Sequence, residues 1–179
     1  MNEMPGTGLI HIYCGDGKGK TTTGMGLCVR AAGYGYRVLI CQFMKNNASS
    51  ERKILAQAEN ITILPGQDDE KFSFLMTPEE KAQRRAFYHA RLDEIARLVS
   101  DGGYDLLFMD EAVYAVSAGL LDEDRLIGFL DRKPEKLEVI LTGRNPSDRL
   151  LAKADYISEI KKIRHPFDRG IPARDGIEK

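Results

Sequence analysis

One short run constrains this chain more than any other: Gly15-Asp16-Gly17-Lys18-Gly19-Lys20-Thr21-Thr22, set between an apolar stretch and a helix-forming one. Glycines let consecutive backbone N–H groups turn inward around an anion, and a helix starting there adds its own donors and dipole. Lys20 brings positive charge to a phosphate, and the Thr21 hydroxyl suits the magnesium that accompanies a nucleotide. The alternative, a glycine-rich turn with incidental lysines, does not account for strand, loop, Gly-Lys-Thr and helix in that order. The spacing departs from the common pattern. A glycine is expected five positions before Gly19, but Cys14 stands there and Gly15 comes one residue late. This contracted cradle, with Lys18 as an extra lysine, is expected to hold phosphates differently from a common ATPase.

Leu106-Leu107-Phe108-Met109-Asp110-Glu111 supplies the acidic partner of such a loop, expected at the end of a neighbouring strand. Asp110 suits magnesium, directly or through water. Glu111 reads either as a second metal contact or as a base. A lone Asp-Glu pair is commonly just a strand ending in solvated acids, but beside a phosphate loop that reading becomes the lesser one.

Strand-like and helix-like stretches alternate along the whole chain. Leu9–Cys14, Arg37–Phe43, Ile61–Leu64, Leu106–Met109, Val139–Leu141 and Tyr156–Ile160 read as strands. The nearly unbroken apolar runs among them are those of strands covered on both faces. A helix is expected from Thr21 to Ala32 with Gly33 as its left-handed stop. The clearest helix begins at Thr77-Pro78-Glu79-Glu80, where Thr77 can cap, Pro78 fits the first position and Glu80 can complete a capping box. Behind it Tyr88, Leu92, Ile95 and Val99 mark one buried stripe, and Gly102-Gly103 ends the segment. Asp122–Arg132 and Ser147–Ala154 read as further helices. Alternation of this kind implies an α/β fold, a mostly parallel sheet with helices on both faces, in a single domain spanning residues 1–179. The irregular stretches 44–50 and 66–77 should lie at the carboxyl ends of strands, where open α/β sheets place ligands.

Composition removes several alternatives. A formal net charge of −1 offers no electrostatic footprint for duplex nucleic acid. Neither a signal-like apolar run at the N-terminus nor an apolar stretch long enough to span a membrane is found, so a cytoplasmic location is expected. The three cysteines, Cys14, Cys28 and Cys41, lie in apolar stretches without a paired spacing and read as small core residues in a reducing compartment. The three histidines, His11, His89 and His165, share no metal-ligand spacing. His11 and His89 read as structural, and His165 stays open.

The contracted GDGKGKTT loop resembles that of the P-loop corrinoid adenosyltransferases, and the resemblance continues through residues 9–178. Gln42-Phe43-Met44-Lys45 is similar to the family's QFxKG segment, with Asn46 in place of glycine. Ser50-Glu51-Arg52 falls where members carry a GER-like sequence. Phe72-Ser73-Phe74 stands where the family has an aromatic pair, often Phe and Trp. Asp110-Glu111 matches the acidic pair and Thr142-Gly143-Arg144 the TGR. His165-Pro166-Phe167-Asp168, Gly170 and Ala173-Arg174-Asp175-Gly176-Ile177-Glu178 resemble the C-terminal signature.

The resemblance implies a P-loop NTPase fold of the RecA-like kind and an enzyme that moves the 5′-deoxyadenosyl group of ATP onto the Co(I) of a reduced corrinoid, cobalamin or cobinamide. ATP would lie reversed along the loop, exposing C5′ to cobalt, and the whole triphosphate would leave. It implies that Gly15, Asp16, Gly17, Lys18, Gly19, Lys20, Thr21, Thr22 and Arg144 bind the nucleotide. Lys18, Lys20 and Glu111 would be catalytic, and Thr21, Asp110 and Glu111 would hold magnesium or manganese. Phe72 and Phe74 would pack on the lower face of the corrinoid, although a pair of loop aromatics taken alone is more often a core anchor. An electron-donor flavoprotein for Co(II) and a homodimer are implied as partners. With eight residues before Leu9, covering the corrinoid would fall to the 44–50 and 66–77 loops or to a partner subunit. Two rivals remain at this point: another P-loop kinase or ATPase, and a non-catalytic corrinoid carrier gated by ATP.

Overall fold

A computed structural model of the chain describes residues 8–67, 71 and 73–178. Six strands form one sheet: β1 (Ile10–Cys14), β2 (Val38–Gln42), β3 (Ile61–Ile63), β4 (Leu106–Asp110), β5 (Glu138–Thr142) and β6 (Tyr156–Glu159). Their order across the sheet is β3-β2-β4-β5-β1-β6, and every pairing is parallel. β2 and β4 are buried at all five positions, as their uninterrupted apolar sequences require of strands with both faces covered.

Both faces are covered. On one side Met25, Cys28 and Ala31 of α1 (Lys20–Tyr34) and Leu55 of α2 (Glu51–Leu55) pack on Val38, Ile40, Phe108 and Ile140. On the other side lie α3 (Pro78–Ser100), α4 (Ala112–Ser117), α5 (Glu123–Arg132) and α6 (Asp148–Leu151). There Tyr88, Leu92, Ile95 and Val99 meet the alternate residues Leu39, Leu107, Met109, Val139 and Leu141 of the same strands. The stripe read from α3 is therefore its buried face. The capping box also forms: Glu80 N donates to Thr77 Oγ1 at 3.2 Å, and Thr77 N donates to the Glu80 carboxylate at 2.7 Å.

Three expectations change. α1 runs past Gly33 and stops at Gly35 (φ 105°), where Gly35 N donates to Ala32 O and Tyr36 N to Ala31 O. That pair of bonds is a Schellman ending, which needs its left-handed residue at the second glycine rather than the first. The acidic strand β4 is not the neighbour of β1, because β5 lies between them. Strand order depends on where crossovers land, which strand sequences do not encode. α6 is shorter than Ser147–Ala154, with Ser147 as its cap, and α2 and α4 had no visible pattern because each is under two turns long.

A parallel sheet brings all strand carboxyl ends to one edge. The phosphate loop follows β1, residues 44–50 follow β2, the 64–77 connection follows β3, and Asp110 closes β4. Among the described residues no helix is long and apolar enough to cross a membrane.

Candidate active site

The turn from β1 into α1 is built by two left-handed glycines, Gly15 (φ 105°) and Gly19 (φ 115°). At Gly15 a Cβ would also stand 2.4 Å from the carbonyl oxygen of Ile160, so the loop leans directly on the chain leaving β6. Gly17 N donates to Ile160 O at 2.7 Å, and Lys162 N donates to Asp16 Oδ1 at 2.9 Å. That backbone donor holds the Asp16 carboxyl below the usual carboxylate range. Lys20 opens α1, is buried, and donates from Nζ to Gly17 O at 2.7 Å, so it arches across the loop. Burial lowers its ammonium below the usual lysine range. Lys18 points outward and pairs with Glu178 at 3.5 Å, while Thr22 lies exposed on the first helical turn.

Asp110 is fully buried yet surrounded by donors. Its Oδ1 accepts from Thr21 Oγ1 at 2.9 Å and from Thr142 Oγ1 at 2.6 Å. Its Oδ2 accepts from Lys45 Nζ at 2.7 Å and from Gln42 Nε2 at 3.2 Å. Lys45 Nζ also donates to Thr21 Oγ1 at 2.9 Å. Thr142 ends the intervening strand β5 and thereby ties the separated strands together, accepting from Glu111 N at 2.8 Å as well. Glu111 sits in the left-handed region at φ 59°, an unfavourable conformation for a residue with a side chain and one that concentrates at functional sites. Burial and the Asp110 charge push its carboxyl upward, partly offset by the charges of Lys45, Lys20 and Arg144. Arg144 is likewise an electrostatic neighbour of Asp16 and Lys20.

The structure thus brings Asp16, Lys20, Thr21, Asp110, Glu111 and Arg144 to one edge of the sheet. Lys45, Gln42, Thr142 and Arg52 belong there too and were missing from the site read from sequence. Arg52 Nη1 donates to Gln42 Oε1 at 3.0 Å and Nη2 to Leu64 O at 3.2 Å, fixing the amide that faces Asp110. The available signal for Gln42, Lys45, Arg52 and Thr142 was their place in the segments Gln42–Lys45, Ser50–Arg52 and Thr142–Arg144, which carry the resemblance, though these residues were given no role in the site.

Phe74 is 75% exposed on a 3-10 turn, Ser73–Leu75, with Leu75 also exposed; Phe72 lies outside the described residues. His11 pairs with Glu138 and stacks on Tyr156, and His89 Nε2 accepts from Asp122 N, so both are structural. His165 Nδ1 accepts from Phe167 N at 3.2 Å and caps the 3-10 turn Pro166–Arg169. The three cysteines are buried and free, with the Cys28 and Cys41 thiols pushed up to about 12 by burial.

The donors around Thr21 and Asp110 fit a magnesium ion. They are oxygens, they are few, and they already accept the Lys45 ammonium as a cation in their midst. Magnesium bound with a nucleotide takes its remaining ligands from phosphates and water.

Comparison with known proteins places the chain in a family. The family model of ATP:corrinoid adenosyltransferase BtuR/CobO/CobP matches residues 6–178. The corrinoid adenosyltransferase of Escherichia coli (strain K12) is 29% identical over 181 aligned residues, covering 96% of this chain and 85% of its own length. That of a Sinorhizobium species is 30% identical, covering 96% of this chain and 80% of its own. Among solved structures, a KaiC-like protein from Pyrococcus horikoshii OT3 matches with a TM-score of 0.57 at 17% identity, over 87% of this chain and 73% of that one. The cytoplasmic domain of EssC matches with a TM-score of 0.52 at 19% identity, over 96% of this chain and 37% of that one. These two likenesses concern the fold.

Proposed function

This chain belongs to the ATP:corrinoid adenosyltransferase family, and from that premise we propose how its own residues carry the reaction. The enzyme transfers the 5′-deoxyadenosyl group of ATP to the Co(I) of a reduced corrinoid. The cobalt electron pair forms a bond to C5′, the C5′–O bond breaks, and triphosphate leaves with those electrons. A kinase or ATPase reading accounts for the loop and Asp110 but not for a family match running to residue 178.

The observation that supports the site best is the meeting of Lys20, Thr21, Lys45 and the buried Asp110 at the start of α1. Lys20 and the loop amides other than that of Gly17, whose N–H is taken by Ile160 O, stabilise the charge that gathers on the triphosphate, usually the largest contribution in such chemistry, and Lys18 joins them by leaving its pairing with Glu178. Gly15, Asp16, Gly17, Gly19, Thr22 and Arg144 line the nucleotide, which lies reversed along the contracted loop. Lys20 is held dry, and a buried charge acts on phosphates more strongly than a solvated one. Thr21 with Asp110 or Glu111 would hold magnesium or manganese, which supplies further neutralisation of the leaving group when bound.

Phe72 and Phe74 offer an apolar face to the lower side of the corrinoid; the exposure of Phe74 at the sheet's carboxyl edge supports this. By the same reading the chain is one catalytic domain that works as a homodimer, takes cobalamin or cobinamide, and receives electrons for Co(II) from a flavoprotein. Three buried free thiols fit a cytoplasmic, reducing location. The test is an anaerobic assay with ATP and chemically reduced cobalamin. Growth of the cobalt–carbon absorbance supports the assignment, and its absence with folded protein rejects it.

A further inference from the structure

Lys45 occupies a position that the reaction as described leaves without a role. Its ammonium lies between the two oxygens assigned to a divalent cation, 2.9 Å from Thr21 Oγ1 and 2.7 Å from Asp110 Oδ2. The Thr21 hydroxyl has one hydrogen, spent on Asp110, and Lys45 takes one of its two lone pairs. Oδ1 of Asp110 carries two donors, and Oδ2 carries Gln42 and Lys45. Lys45 is the only charged donor of the four.

This placement is built into the backbone. Met44, just before Lys45, sits in the left-handed region at φ 54°, and its N–H donates to the hydroxyl of buried Tyr88 at 2.7 Å. A left-handed methionine persists only where its surroundings enforce it. Here α3, through Tyr88, holds the bend that sends Lys45 toward Asp110.

We propose that Lys45 is a placeholder cation: it neutralises Asp110 in the nucleotide-free enzyme, keeps a free divalent ion out, and withdraws when the ion arrives with triphosphate. A fully buried carboxylate without a nearby positive charge is costly, so the site needs a cation before substrate binds. An ammonium on a flexible four-carbon stem can leave by rotation, which a rigid guanidinium fork does less readily. A divalent ion and the ammonium cannot share Thr21 and Asp110, because two like charges at contact distance repel strongly. The ion therefore enters only when triphosphate oxygens add to its ligands and offer Lys45 a new partner. The consequence is ordered loading: metal and nucleotide enter together, and metal alone is refused.

This inference rests on the assignment of the metal to Thr21 and Asp110. Manganese binding, followed by water-proton relaxation, separates the two claims. Wild type and Lys45→Met are titrated with manganese alone and then with manganese plus ATP, with no corrinoid present. Lys45→Gln, which keeps a donor for Asp110, replaces the methionine variant should that one fail to fold by circular dichroism. Wild type is expected to bind manganese only with ATP, whereas the neutral variant binds manganese alone at least about tenfold more tightly than wild type. Equal or weaker nucleotide-free binding by the neutral variant overturns the placeholder role. Failure of wild type to form the ternary complex instead overturns the metal assignment, whatever Lys45 does.

Discussion

Lys20 is the side chain at which phosphate chemistry and folding separate most cleanly. It is buried, but among the described residues its side chain's one hydrogen bond is to Gly17 O within the loop, so its loss leaves both sides of the core intact. Lys20→Ala should fold and should lower turnover at least about tenfold, corresponding to about 1.4 kcal/mol of lost transition-state binding. Near-normal turnover in the folded variant would remove the nucleotide site from this loop. Glu111 carries a different cost. Its carboxyl is raised above the ordinary value of 4.5 by burial and by Asp110. As pH climbs past that ordinary value the unfolded chain releases its proton first, so the folded state loses stability until its own raised pKa is passed. Glu111→Gln has no such loss. Its melting temperature should exceed that of wild type near neutral pH, and the gap should close as pH falls below 4.5, while turnover declines. A glutamine variant no more stable than wild type at neutral pH would contradict the electrostatic account of this residue.

Among the elements, the connection from β3 to α3 has the clearest separable task. The capping box at Thr77 fixes where α3 starts, and the 3-10 turn just before it exposes Phe74. Phe72→Ala and Phe74→Ala should slow the reaction most when it starts from Co(II), because an apolar lower face eases reduction by excluding water and a lower axial ligand. With pre-reduced Co(I) the loss should be smaller. Equal loss from both starting points, or none, would make these aromatics packing anchors. The same segment shows what the sequence reveals and what it hides. Thr77-Pro78-Glu79-Glu80 was readable because a capping box is local chemistry, and the apolar runs of β2 and β4 because full burial leaves no polar positions. β5 inserted between β1 and β4 was not readable, since crossover geometry is a property of the assembled sheet. Thr142 became part of the site through that insertion, and Lys45 through a left-handed Met44 held by a tyrosine 44 positions away.

Across the whole molecule, one sheet edge gathers contributions from every part of the chain: the loop after β1, Lys45 after β2, Asp110 and Glu111 after β4, Thr142 and Arg144 after β5. The C-terminal stretch completes it, with Ile160, Lys162 and Glu178 meeting Gly17, Asp16 and Lys18. Such a site can serve attack at phosphorus or at carbon, and the phosphorus product distinguishes the two. The deciding measurement is quantification of phosphorus products after anaerobic turnover with ATP and Co(I) corrinoid. Attack at C5′ predicts inorganic triphosphate in step with cobalt–carbon bond formation, and no accumulation of ADP. Stoichiometric ADP, or triphosphate release indifferent to corrinoid, would contradict adenosyl transfer by this site.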